Sequence, residues 1–205
     1  MRRTGERRSS PLCCAAMPSQ DYTRRELIEN LIFRVRNKLL GILQQNREAS
    51  TRFGARMSCN LNDFIGKRIF HFGCWEPHIS AFIQNRLRPS DIFCDVGANI
   101  GYYTLLAAPI VGPAGVVVAV EASPQIFRVL EGNVKLNGLS NVRLINVAAA
   151  NKSARMTLYR GPSWNLGAST VVASRGFKKE ADVPALPLEK ILSPGEIIYK
   201  TDPSH

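Results

Sequence analysis

A chain of 205 residues with 45% hydrophobic content suits one domain of ordinary size that buries a core, and not a disordered or fibrous protein. No apolar run approaches the roughly 20 residues that span a bilayer, so no transmembrane helix is expected. The net charge of +11 is uneven: residues 1–57 hold 12 Lys and Arg against 5 Asp and Glu, and residues 58–205 hold 15 against 11. A basic arm of this kind binds nucleic acid or anionic lipid, or is simply a solvated surface. The cysteines, Cys13, Cys14, Cys59, Cys74 and Cys94, are odd in number and form no C-x-x-C. That argues against a disulfide framework or zinc ribbon, and for reduced thiols in a cytoplasm.

Residues 1–20 read as a disordered basic tail, polar and Arg-rich with two prolines. Their Arg and Ser content is shared with transit peptides, and Met17 offers a second start, but no apolar stretch makes a secretory signal. Residues 21–57 are expected to be an amphipathic helix and linker. Thr23-x-x-Glu26 is a capping box, and Leu27, Leu31, Val35, Leu39 and Leu43 recur along one stripe. Such a helix packs on its own domain, on a membrane surface or on a second copy. Residues 58–205 are expected to form the main domain.

From residue 64, FIGKRIFHFGCW is strand-like, HISAFIQNRL is helical and RPSD turns. A strand at 91–95 precedes a helix near 100–108, and Gly112-Pro113-Ala114-Gly115 turns into a strand at 116–121. Ser123 and Pro124 open the next helix as N-cap and first residue, and Gly138 closes it. NVRLINVA at 141–148 is a third strand. Alternating β and α units with short links imply a parallel sheet covered by helices. ARMTLY and ASTVVAS read as two short strands, LEKIL as a helical turn and EIIYK as a last strand.

The segment DIFCDVGANIGYYTLLAA, residues 91–108, is the most informative. A strand-to-helix turn of small residues lets backbone amides approach a ligand closely. A phosphate loop needs G-x-x-x-x-G-K-[ST], which is absent, and counting from Gly97 two of the three glycines of G-x-G-x-x-G fail. What remains is Asp95, Gly97, Asn99 and Gly101, an acid-x-Gly-x-Asn-x-Gly turn with the spacing of class I S-adenosylmethionine-dependent methyltransferases. Glu121 follows 26 positions after Asp95, directly after VVVAV, where a second carboxylate would take ribose hydroxyls. The adenine is then expected near Ala148, and the ammonium of the cofactor near Asp95.

These motifs, with W-E-P at 75–77, the N-x-x-x-N stretch and the A-S-T segment, resemble the FkbM-type methyltransferase family over roughly residues 64–202. The resemblance implies a Rossmann-like class I methyltransferase fold and S-adenosylmethionine as cofactor. It also implies methyl transfer to a hydroxyl of a sugar or small metabolite. The charge excess lies in the N-terminal arm, so a small-molecule or glycan acceptor is expected rather than nucleic acid. A nucleic-acid methyltransferase is the rival reading within enzymes.

The family's fourth strand resembles K-I-D-V-E-G, with three further strands after it. Here Lys200 and Asp202 are kept, but Pro203, Ser204 and His205 follow. The sheet is therefore expected to be incomplete at its C-terminal end. Ile197, Ile198 and Tyr199 would lie on an exposed edge open to a second copy or a partner chain. A truncated remnant that at most binds the cofactor is a further alternative. Asp202, at a strand end facing the crevice, is the candidate for orienting or deprotonating the acceptor hydroxyl. Glu76 is either part of the cofactor pocket or a surface carboxylate. His71, Cys74 and His78 have metal-like spacing but no fourth ligand nearby, so no metal is expected.

Overall fold

The computed structural model describes residue 29, residues 46–173 and residues 176–196. The chain falls into two compact units, Met1–Leu43 and Gln44–His205. In the first, Glu29 is helical, and the rest of the expected amphipathic helix lies outside the described residues.

The second unit is built round a parallel sheet of β3 (Ile92–Val96), β4 (Val116–Val120) and β5 (Val142–Ile145), in that order. Helix α3 (Tyr102–Val111) connects β3 to β4, and α4 (Pro124–Leu136) connects β4 to β5. The expected parallel α/β sheet with flanking helices is what these residues form. Strand β4 is central, so Val117, Val118, Ala119 and Val120 are all buried. Ser123 caps α4 by accepting the Ile126 N–H at 3.2 Å, and Pro124 follows as expected. Helix α3 runs past Pro109, which lies in its last turn.

Four expectations are corrected. Residues 46–57, expected as helix and linker, belong to a hairpin of β1 (Asn46–Ser50) and β2 (Arg56–Asn60). Residues 64–72, expected as strand, are helix α1 (Phe64–Phe72). Asp63 caps its start, accepting the Gly66 N–H at 3.0 Å, and Gly73 ends it in the left-handed conformation. The third strand stops at Ile145, where the Asn146 amide turns to the carbonyls of Glu121 and Ala122. The chain resumes as β6 (Ala148–Ala149) in another sheet. There β8 (Lys178–Leu186) lies between β6 and β7 (Ala154–Arg160). The partner of β7 is thus β8, and the ASTVVAS segment, expected as a strand, contributes among its described residues the single Tyr159–Thr170 bridge.

Helix α2 (Pro77–Arg86) packs on α3, and the short α5 (Leu188–Ile191) follows β8. The main core joins Met57 and Cys59 of the hairpin, Ile69 of α1, Leu105 of α3, Ala119 of β4 and Leu130 of α4. The expected last strand at 196–200 lies outside the described residues except for Glu196, which pairs with Arg143 of β5. No helix among the described residues is long and apolar enough to cross a membrane.

Candidate functional site

The carboxyl ends of β3, β4 and β5 open on one crevice, the usual position for a ligand in a parallel sheet. After β3 the chain turns through Gly97 (φ 79), Asn99 (φ 51) and Gly101 (φ 94), three left-handed residues at alternate positions. The amides of Gly97 and Ala98 both donate to the Val120 carbonyl, at 2.8 and 3.0 Å, which fastens the turn to β4. The two glycines answer different needs. A Cβ at Gly97 would meet nothing within 4 Å, whereas one at Gly101 would lie 2.6 Å from Leu130 Cδ1. Gly101 is required by helix packing, and Gly97 keeps the crevice side of the turn open.

Glu121, only 8% exposed, stands at the end of β4. Its Oε2 accepts the Asn99 N–H at 2.9 Å and its Oε1 accepts the Ser123 N–H at 2.8 Å. One carboxylate therefore joins the turn before α3 to the turn before α4. Burial pushes the Glu121 carboxyl above its ordinary value, the amides of Ser123 and Asn99 pull it down, and nearby Glu180 raises it. Glu180 of β8 also accepts a hydrogen bond from the Ser123 hydroxyl, so the second sheet is anchored at the same turn.

These groups border a cavity of about 410 Å³. Gly97, Asn99, Glu121 and Ala148 of the expected site line it, with Ala122, Ile126 and Val147 as apolar walls. Its remaining side is a loop, residues 161–173, that contributes Leu166, Gly167, Ser169, Thr170 and Val171. The sequence signal for this loop was the A-S-T segment, whose polar and β-branched residues mimic a strand.

Asp95 and Gly101 are not in the lining. Asp95 is buried, and its Oδ2 accepts the Thr104 hydroxyl at 2.6 Å. Burial raises its carboxyl above the ordinary value and the Thr104 bond opposes the rise. Asp202 lies outside the described residues. Glu76 is exposed and outside the cavity lining, with a left-handed backbone (φ 40), and accepts the Tyr103 hydroxyl at 2.5 Å. Among the described residues no group of three or more His, Cys, Asp or Glu is placed to hold a metal ion.

Residues 95–195 match the family model for the Methyltransferase FkbM domain. The chain carries an FkbM methyltransferase domain. The expected S-adenosylmethionine-dependent family is thereby borne out over these residues, which run from the last two residues of β3 through β8 and take in the cavity lining from Val96 to Val171. Three solved structures are similar to parts of the chain. A protein-L-isoaspartate O-methyltransferase is 26% identical with a TM-score of 0.35, over 37% of this chain and 24% of its own. TYW2 of M. jannaschii in complex with AdoMet is 21% identical with a TM-score of 0.41, over 51% and 44%. TYW2 of P. horikoshii in complex with MeSAdo is 18% identical with a TM-score of 0.42, over 60% and 49%. The chain thus spans between about a quarter and a half of the solved structures it matches. No curated protein matches it.

Proposed function

We propose that the FkbM domain binds S-adenosylmethionine in the cavity at the ends of β3 and β4 and directs its methyl group to an acceptor hydroxyl of a sugar or small metabolite. The observation that carries this is the position of Glu121, whose carboxylate is aligned by two backbone amides beside an open glycine turn. Each of its oxygens accepts a single hydrogen bond from these amides and keeps acceptor capacity for a ribose hydroxyl. The apolar side chains of Ala122, Ile126 and Ala148 suit an adenine ring, and Asn99 borders the turn. Asp95 supports this site through the buried bond to Thr104 rather than from the lining.

The cofactor supplies an electrophilic methyl group on a sulfonium. The protein's part is to orient it, to exclude water and to take the acceptor's proton. Asp202 is the residue we assign to that last role, on the sequence pattern at the fourth strand. Most of the positive charge excess lies in residues 1–57 rather than in residues 58–205, which favours an uncharged acceptor over nucleic acid.

The test is production of S-adenosylhomocysteine by the full chain across glycan and metabolite hydroxyl acceptors. Turnover on one of these, reduced by Asp202→Asn, supports the reading. Turnover confined to RNA, with salt-dependent affinity lost on deleting residues 1–43, which lie outside the hairpin and its core, would replace it with the nucleic-acid reading.

A further inference from the structure

Asp63 is 5% exposed and its two carboxylate oxygens serve two different segments. Oδ2 accepts the Gly66 N–H at 3.0 Å and so caps α1, while Oδ1 accepts the Leu166 N–H at 2.8 Å, 103 residues away in the loop over the cavity. A cap alone needs one acceptor. The second oxygen is committed to the loop.

The rest of the loop is clasped on both sides of this bond. The Phe64 N–H donates to the Trp164 carbonyl at 2.8 Å, and Tyr159 and Thr170 exchange backbone bonds of 2.8 and 2.9 Å. Within it, the Ser169 hydroxyl donates to the Leu166 carbonyl at 2.8 Å and accepts the Gly161 N–H at 3.1 Å. The loop backbone reaches the cofactor turn itself: a Cβ at Gly167 would lie 3.1 Å from both Asn99 Nδ2 and Ile65 Cδ1.

We propose that Asp63 is a positioning residue that holds the 164–171 loop down over the cavity and so slows escape of the cofactor. This rests on the reading of the cavity as the S-adenosylmethionine site. Asp63 does not line the cavity; it acts through Leu166 and Gly167, which do. A carboxylate suits the task because it accepts from two amides at once, and bonds to a charged acceptor are stronger than neutral ones.

The experiment compares the full chain with Asp63→Asn and Asp63→Ser. Both side chains are good N-caps, but each offers a single acceptor oxygen in place of two. Hydrogen exchange is followed in residues 64–72 and 161–171, and the dissociation rate of S-adenosylhomocysteine is measured. Faster exchange in 161–171 with 64–72 still protected, together with about tenfold faster dissociation, is the expected result. A loosened loop with unchanged dissociation overturns the proposal. So does loss of protection in 64–72 equal to that in the loop, or failure of both variants to fold, since Asp63 would then be a structural cap. If the wild-type chain binds no S-adenosylhomocysteine, the reading of the cavity falls and this proposal falls with it. Binding by the wild type with both variants unchanged removes only the role of Asp63.

Discussion

Asn99 donates its backbone N–H to Glu121 Oε2 across 2.9 Å, joining a turn after one strand to the end of the next. The bond requires Asn99 in its left-handed conformation, which Asn tolerates better than most residues. The same carboxylate takes the amide of Ser123. Mutations in this region therefore separate into those that harm folding and those that harm the cavity.

Gly101→Ala is expected to destabilise the domain by about 2–4 kcal/mol, because its methyl would meet buried Leu130 in addition to the positive φ. Gly97→Ala has only the backbone strain, about 1–2 kcal/mol, since nothing lies near its Cβ. Urea denaturation of the two variants should give that order. Ligand affinity should be reduced by Gly97→Ala even at temperatures where the variant stays folded.

Asn133 is fully buried on α4; its Oδ1 accepts the Ser58 N–H at 2.7 Å and its Nδ2 donates to the Ile100 carbonyl at 2.8 Å. One side chain thus ties the hairpin and the glycine turn before α3 to α4. Asn133→Ala leaves the part-buried Ser58 N–H and Ile100 carbonyl without this partner, at a cost of about 1–3 kcal/mol in denaturation experiments. Asn137, half-buried, accepts the Arg56 N–H at 2.9 Å in a bond exposed to solvent, so Asn137→Ala should cost less.

This clamp also marks what was legible in the sequence. The alternation from β3 to α4 could be read, because each step has its own signal: apolar runs, a glycine turn, Ser123 with Pro124. The N-x-x-x-N stretch was visible as a pattern, but its role was not, since its partners at Arg56 and Ser58 lie 81 and 75 residues away. The hairpin itself is polar and short, and the backbone groups of Arg56 and Ser58 on β2 are satisfied by the Asn137 and Asn133 side chains rather than by a third strand. Helix α1 is rich in Phe and Ile and nine residues long, which reads as strand unless Asp63 and Gly73 are recognised as its caps. Strand β8 begins Lys-Lys-Glu and contains Pro184, two features that disfavour a strand. It is tolerated because β6 pairs only with Ala185 and Leu186, beyond the proline. Of the expected site, Gly97, Asn99, Glu121 and Ala148 line one cavity, while the loop that covers it came from a segment read as strand.

Asp95 gives a pH dependence. Its folded carboxyl is raised above the ordinary 3.8 by burial, so the native state binds a proton more tightly than the unfolded chain. The stability this contributes is present below the ordinary value and lost as pH rises through the raised one. Asp95→Asn should therefore flatten the decline in stability over that window, measured by thermal melts from pH 4 upward. Thr104→Val should steepen it, since the Thr104 hydroxyl supports the ionised form.

The most direct measurement is isothermal titration of S-adenosylhomocysteine into the full chain, with Glu121→Ala and a Gly97→Val, Glu121→Ala double variant alongside. The account predicts saturable binding at one site, weakened by about 1–3 kcal/mol in Glu121→Ala and further in the double variant. Circular dichroism should confirm that each variant is folded. Equal binding by the wild type and the folded double variant, or no binding by the wild type, would contradict it.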